Sequence, residues 1–290
     1  MDRTQRIVSA RIGRVFIYAL LIFTALLYLA PLYVMIVTSL KDIEEIRSGN
    51  LLLFPLKPSL YAWQKAWSSA CTGSECDGLA PFFWNSLRIV VPAVAISTFI
   101  GSINGYVFSK WQFKGSNYLF GALLLGCFIP FQVILLPMAK LLAVLGLANT
   151  VTGLVLVHII YGIAFTTLFF RNYYIGIPTE LVNAAKLDGA GFIKIYKLIF
   201  LPLSKPIFVV TIIWQFTQIW NDFLFGVVYS GSGTQPITVA LNNLVNTSVG
   251  GKEYNVDMAA AIIAALPTLL VYFFAGKYFI KGLTAGAVKG

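Results

Sequence analysis

A chain of 290 residues in which 58% are hydrophobic, 15% aromatic and only 11% charged, with a mean hydropathy of +0.81, has too few charges to cover a soluble globule. Soluble domains carry about 25% Asp, Glu, Lys and Arg. The formal charge of +10 does not mark a nucleic-acid partner, which would need a soluble basic face, so the expected fold class is an all-α integral membrane protein.

Six apolar runs reach the roughly 20 residues needed to cross a bilayer core of about 30 Å: 15–40, 86–109, 118–145, 151–172, 206–229 and 258–280. The first follows Arg3, Arg6, Arg11 and Arg14 and so imitates a signal peptide. It exceeds an h-region of about 7 to 15 residues and no small-x-small cleavage site follows it, so it is read as a retained span. An even number of spans puts both termini on one side. Assigning the tails, 110–117 and 171–205 to the cytoplasm places four Lys and Arg in the N-terminal tail, two and five in the two segments, and three from Lys277, at the end of span six, onward, fourteen of the 21. The positive-inside rule favours that orientation.

Between spans one and two, residues 41–85 are the least membrane-like part of the chain. "KDIEEIRSG" has a short amphipathic helix pattern, and "LLLFPLKPSLYAWQKAW" is broken by Pro55 and Pro58 before Trp63 and Trp67, as an interfacial element would be. It reads as a partly ordered cap on the outer leaflet or as a mere connector. Cys71 and Cys76 lie in this segment, where the redox compartment permits a disulfide; two free thiols are the rival reading. A metal site is not expected without a second ligand pair. Cys127, inside span three, is read as packing.

In span two, Ser97, Gly101 and Gly105 recur every fourth residue and give one face on which a neighbouring helix can approach closely. Pro130 and Pro137 are expected to interrupt span three and Pro267 span six. His158, the only histidine, is expected to make a helix-to-helix hydrogen bond in span four.

The polar stretch "ELVNAAKLDGAGFIKIYKLIFLPLSKP" (180–206) separates spans four and five. Thr179 is expected to cap a short helix with Glu180 in its first turn, and Gly189 or Gly191 to end it in the left-handed conformation. A second helix is expected from Phe192, with Phe192, Ile195, Tyr196 and Ile199 on one face. An idle connection would need only about 2 to 8 residues, and Ala184 and Ala185 would let another protein's groove approach the backbone.

In span five, Thr211, Gln215, Gln218 and Asp222 follow helical spacing, with Trp214, Thr217 and Asn221 beside them and Phe216, Ile219 and Phe223 towards the other side. Intramembrane polar groups usually face a bundle interior or a watery cavity. The face reads either as the lining of a path suited to a neutral polyhydroxylated solute, or as groups that bind neighbouring helices. Asp222 falls near the outer end of the span, as a solvated gate residue or as half of an ion pair. Gly251-Lys252 and Gly276-Lys277 lack the other residues of a phosphate-binding loop, so no ATP site, catalytic residue or cofactor is expected in this chain.

Several stretches together carry a family resemblance: "NAAKLDG" (183–189) followed by Ile199 and Leu201-Pro202, then "IPFQVILLPMAKLLAVLGLANTVTGL" (129–154), "FFRNYYIGIPTEL" (169–181) and "WNDFLF" (220–225). The chain resembles the permease subunits of ATP-binding cassette importers, in the carbohydrate branch that includes the G permease of maltose importers. "ACTGSECDGLAPFF" resembles permeases of glucose or mannose importers. The resemblance implies a type I transmembrane domain of six helices in the bacterial cytoplasmic membrane, multi-pass with both termini cytoplasmic. Residues 1–85 would hold the N-terminal tail, first helix and extracytoplasmic segment; 86–281 would be the permease core, with a cytoplasmic coupling loop at 173–205.

That loop would dock a separate ATPase through Glu180, Asn183, Ala184, Ala185, Asp188 and Gly189, with Asn183 standing where the family has Glu. The implied partners are a second permease subunit, two cytoplasmic ATP-binding subunits, an extracytoplasmic sugar-binding protein and membrane lipid. An alternative reading is an ion-coupled secondary transporter using Asp222 and His158.

Overall fold

The computed structural model describes residues 3–49, 51–73, 75–247 and 251–287. Among them every regular element is helical, apart from an isolated bridge between Asn149 and Ser230. In chain order the elements are α1 (Arg3–Ser39), α2 (Ile43–Arg47), α3 (Tyr61–Ser68), α4 (Ala80–Lys110), α5 (Ser116–Phe128), α6 (Phe131–Val144), α7 (Val151–Ile175), α8 (Thr179–Leu187), α9 (Phe192–Ile195), a π-helical turn (Tyr196–Phe200), α10 (Leu201–Leu203), α11 (Lys205–Trp220), α12 (Leu224–Tyr229), α13 (Ile237–Asn246) and α14 (Tyr254–Ala287).

Four of these helices are long and apolar enough to cross a membrane: Gly13–Ser39 within α1, α4, α7 and Tyr254–Gly276 within α14. Two bent pairs make up the count of six. α5 and α6 meet at 104°, and the segment Phe192–Leu203 meets α11 at 76°. The first bend has a local cause. A residue before proline is pushed out of the helical region, and Ile129, before Pro130, is extended at φ −69° and ψ 123°. Pro137 and Pro267 behave otherwise than expected, since α6 and α14 continue through them as helix.

Span five is also corrected. It does not run unbroken from 206 to 229: α11 stops at Trp220, and three residues pass before α12 starts. The Asp222 carboxylate accepts the N–H groups of Phe225 and Gly226 at 3.4 and 3.2 Å, satisfying donors that a helix start leaves open. The acid therefore starts a new helix and does not extend the old one.

By packing, the chain divides into two units. The first comprises Met1–Gly78 with Leu244–Ile263, the second Leu79–Asn243 with Ala264–Gly290. In the first unit, the segment after α1 packs as a cap on the residues around the start of α14, more than a mere connector would. Lys65 pairs with Glu253 at 2.5 Å, Lys252 with Asp257 at 2.8 Å, the Gly73 N–H donates to Thr247 Oγ1 at 3.2 Å, and Asn255 donates to the Lys41 carbonyl at 3.0 Å. Ala62 and Ala66 on α3 are buried, Cys71 and Cys76 are disulfide-bonded, and a cavity of about 290 Å³ lies between α3 and the 244–257 segment.

The second unit is organised by α4 lying along α7. The small-residue stripe has the packing role its spacing suggests. A Cβ on Gly101 would stand 2.2 Å from Thr166 Oγ1, and one on Gly105 2.6 Å from Phe170 Cβ.

Candidate functional site

Two places in the second unit gather the residues singled out by the sequence. The first is the 179–204 loop. Thr179 is the first residue of α8 and not its cap; Pro178 precedes it and no side chain caps the helix. The Thr179 hydroxyl instead accepts from Lys110 Nζ at 3.3 Å, and the same ammonium donates to the Ile177 carbonyl at 2.5 Å. Lys186, near the other end of α8, sits 4.3 Å from the centre of the Trp111 ring. The end of α4 thus holds α8 at both of its ends, a clamp that no local sequence signal announces.

Gly189 ends α8 with φ at +75°, a backbone conformation that side chains disfavour, while Gly191 is extended and leads into α9. Val182 is the buried residue of α8. It joins an apolar core with Tyr106, Phe170, Tyr174, Ile195, Tyr196 and Phe200, against which Ala185 is half-buried. Glu180, Asn183, Ala184, Asp188 and Gly189 are exposed, as is Leu187, at 90%. Five of the six residues expected to form a docking surface are therefore on the free side, with Ala185 turned towards the core. Leu187 belongs with the exposed set although the sequence reading passed over it.

The second place is a cavity of about 120 Å³ beside α11. Its polar lining is His158, Tyr161, Trp214, Gln215, Gln218 and Asp222, and Phe131, Phe165 and Phe225 supply much of the apolar wall. Four of the six expected path residues come together here. Thr211 is fully buried outside the cavity, and Asn221, in the break after α11, is exposed and does not line it. Ile219, expected on the other side, does line it.

Gln215 lines the cavity and also donates to Ser97 Oγ on α4 at 3.2 Å, the helix-to-helix bond of the second reading. His158 Nε2 stands 3.9 Å from Asp222 Oδ2, too far for a hydrogen bond but close enough to make the pair one polar wall. The helix-to-helix hydrogen bond expected of His158 is therefore replaced by proximity to Asp222, which the break after α11 brings alongside. The Tyr161 hydroxyl is buried with no hydrogen-bond partner, and Trp214 packs against Phe165 at 4.8 Å between ring centres.

The family model described as binding-protein-dependent transport system inner membrane component matches residues 94–284. The chain belongs to that family. This permease is 44% identical over 278 residues to a probable ABC transporter permease protein of Pyrococcus horikoshii, covering 96% of this chain and 98% of the relative. It is 32% identical to the xylose/arabinose import permease protein XacI of Haloferax volcanii, covering 99% and 97%. Its fold matches, with a TM-score of 0.79 at 21% identity, a chain in the crystal structure of a bacterial ABC transporter involved in the import of the acidic polysaccharide alginate, covering 96% of this chain and 99% of that one. This permease is a membrane translocation subunit of an ATP-binding cassette importer, and a multi-pass one. The ion-coupled alternative loses its footing on both counts: the family works with a binding protein, and the Asp222 carboxylate is engaged at the start of α12.

Proposed function

We propose that this permease moves a neutral sugar across the cytoplasmic membrane, with both termini in the cytoplasm, and that α8 couples it to a separate ATPase. The observation that carries the solute class is the cavity beside α11, where the indole of Trp214 stands beside the amides of Gln215 and Gln218, the Tyr161 hydroxyl and the Asp222 carboxylate. Flat apolar rings suit the faces of a sugar ring, and fixed amides and hydroxyls suit its hydroxyl groups. Among the relatives, one is named for xylose and arabinose import and another, from Saccharolobus solfataricus, for glucose import.

The remaining parts rest on the family to which the chain belongs. The reading assigns ATP hydrolysis to two cytoplasmic ATP-binding subunits, one of which takes the exposed face of α8. A second permease completes the path, and an extracytoplasmic sugar-binding protein delivers the solute. Residues 86–281 form the permease core in this reading, and 1–85 the N-terminal tail, first span and outer segment. ATP binding and hydrolysis favour different orientations of the spans, and solute crosses because its affinity differs between them.

The test is ATP-driven uptake of labelled xylose, arabinose and glucose by the whole complex in proteoliposomes, with Trp214→Ala beside the parent. Uptake of at least one sugar that falls several-fold in the variant is the expected result. Uptake unchanged by Trp214→Ala, or no uptake of any of the three, contradicts the reading.

A further inference from the structure

Beneath α8 four hydroxyl side chains form one continuous buried chain. Tyr196 Oη lies 2.9 Å from Ser102 Oγ, Ser102 Oγ lies 2.8 Å from Tyr174 Oη, and Tyr174 Oη lies 2.8 Å from Ser204 Oγ, which also contacts the Phe200 carbonyl. Ser204 Oγ is placed to donate both to Tyr174 Oη and to the Phe200 carbonyl, so its one proton is shared between them, while either partner can donate in the two links through Ser102. Ser102, Tyr174 and Ser204 are 0% exposed and Tyr196 is 7% exposed. Removing the Ser102 hydroxyl leaves that of Tyr196 without its partner in the chain, and removing that of Tyr196 or Ser204 takes one bond from a buried neighbour.

The four residues come from four places in the fold. Ser102 is on α4, Tyr174 ends α7, Tyr196 opens the π-helical turn and Ser204 is the residue between α10 and α11. Ser204 therefore sits at the 76° bend where the loop turns into span five. Two more bonds brace the same joint, from Tyr106 Oη to the Phe192 carbonyl at 3.3 Å and from Tyr173 Oη to the Leu203 carbonyl at 2.8 Å. Above the chain, α8 rests on the same core through Val182. The hydrogen bonds add distance and angle requirements at this bend that apolar contacts alone do not impose. π-helical turns are rare and concentrate where a helix has a functional joint.

We infer that Ser102, Tyr174, Tyr196 and Ser204 are positioning residues that lock the loop to α4, α7 and the start of α11. A displacement of α8 then turns α11 with it and is not absorbed at the Ser204 bend. This rests on the reading of α8 as the ATPase-docking helix.

The experiment uses the complete complex carrying Cys127→Ala and Gln218→Cys, so that the exposed position 218 on α11 reports its surroundings through its rate of maleimide labelling. The rate is measured with and without ATP and vanadate. In the parent it changes several-fold on trapping. Tyr196→Phe and Ser204→Ala each remove one hydroxyl and are expected to abolish that change while the ATPase stays in the complex and keeps hydrolysing ATP. Ser204→Thr, which keeps the hydroxyl, is expected to retain it.

A full response in Tyr196→Phe, no response in the parent, failure of Ser204→Thr to differ from Ser204→Ala, or loss of the ATPase from the Tyr196→Phe complex each overturns the inference. A separate arm, Leu187→Asp on the exposed face of α8, tests the underlying reading. If that variant keeps its ATPase, α8 does not dock it and the docking reading fails. If it loses the ATPase while the hydroxyl variants respond normally, only the positioning role fails.

Discussion

The amide nitrogen of Gln215 occupies the place where a side chain on Gly162 would stand, 1.9 Å from the position a Cβ would take. At Gly101 the obstacle is different, because there the backbone carbon of Thr166 lies 2.8 Å away, beyond the side-chain atoms already in contact. A flexible side-chain end can move aside and a helix backbone cannot. Gly101→Ala is therefore expected to separate α4 from α7 and to cost about 1 to 3 kcal/mol, the usual range for overpacking. Gly162→Ala is expected to cost less, yet to swing Gln215 away from Ser97 and lower solute uptake. Thermal unfolding in detergent, set beside uptake by each variant, checks the contrast.

Leu187 presents 90% of its surface to solvent at the end of α8, so Leu187→Asp removes no packing within the chain. Its effect on stability is expected within about 0.5 kcal/mol, as for other exposed positions away from special features, while ATPase binding falls steeply. Lys110→Met acts from the opposite side by removing the bonds to Ile177 and Thr179, and is expected to weaken ATPase binding without abolishing it. Co-purification of the ATPase with each variant, alongside its melting temperature, separates docking from folding.

The cap has a defined pH response. The hydrogen bond to Glu253 raises the Lys65 pKa above its ordinary 10.5, with burial opposing it more weakly. A raised value in the folded state means that the pair stabilises fully below the ordinary lysine pKa and that its contribution is lost as pH rises through the folded value. Protease resistance of the 61–78 segment is therefore expected to be flat through neutral pH and to fall above about pH 10.5. Lys65→Met should remove this alkaline step and leave the neutral plateau lower. A step that persists unchanged in Lys65→Met contradicts the assignment to this pair.

Cys71 and Cys76 close a short loop, with a sequence separation of 5. Loop-closure entropy for so few residues is worth about 2 kcal/mol, so reduction should loosen the cap without unfolding the spans. Thiol titration of the purified, denatured chain is expected to find one thiol before reduction and three after it. Three thiols without reductant contradict the bond.

How much of this was legible in the sequence depended on the range of the forces involved. Span positions, the small-residue face of α4 and the Gly189 turn were readable because each follows from local hydropathy, helical spacing or the φ that only glycine adopts easily. The break after Trp220 was not, because it depends on Asp222 choosing to satisfy the backbone of a second helix over continuing the first. Pro137 and Pro267 misled for the converse reason: a proline signals one missing bond, and the surrounding helix tolerated it. The contacts of Lys110 and the hydroxyl chain of Ser102, Tyr174, Tyr196 and Ser204 carried no sequence signal, and the hydrogen bond expected of His158 gives way to a 3.9 Å approach to Asp222. Their partners lie 30 to 94 positions away in the chain, and only the packing of the helices brings them together.

The most direct test of the central claim, that α8 couples this permease to its ATPase, is co-purification of the ATP-binding subunit with the parent and with Gly189→Val. The φ of +75° at Gly189 forbids a β-branched residue, while nothing lies within 4 Å of where its Cβ would point, so the substitution deforms the end of α8 without a clash against the core. The account predicts that the ATPase accompanies the parent in mild detergent and is lost from the variant, with both chains inserted at equal levels. An ATPase that stays fully bound to Gly189→Val would contradict it.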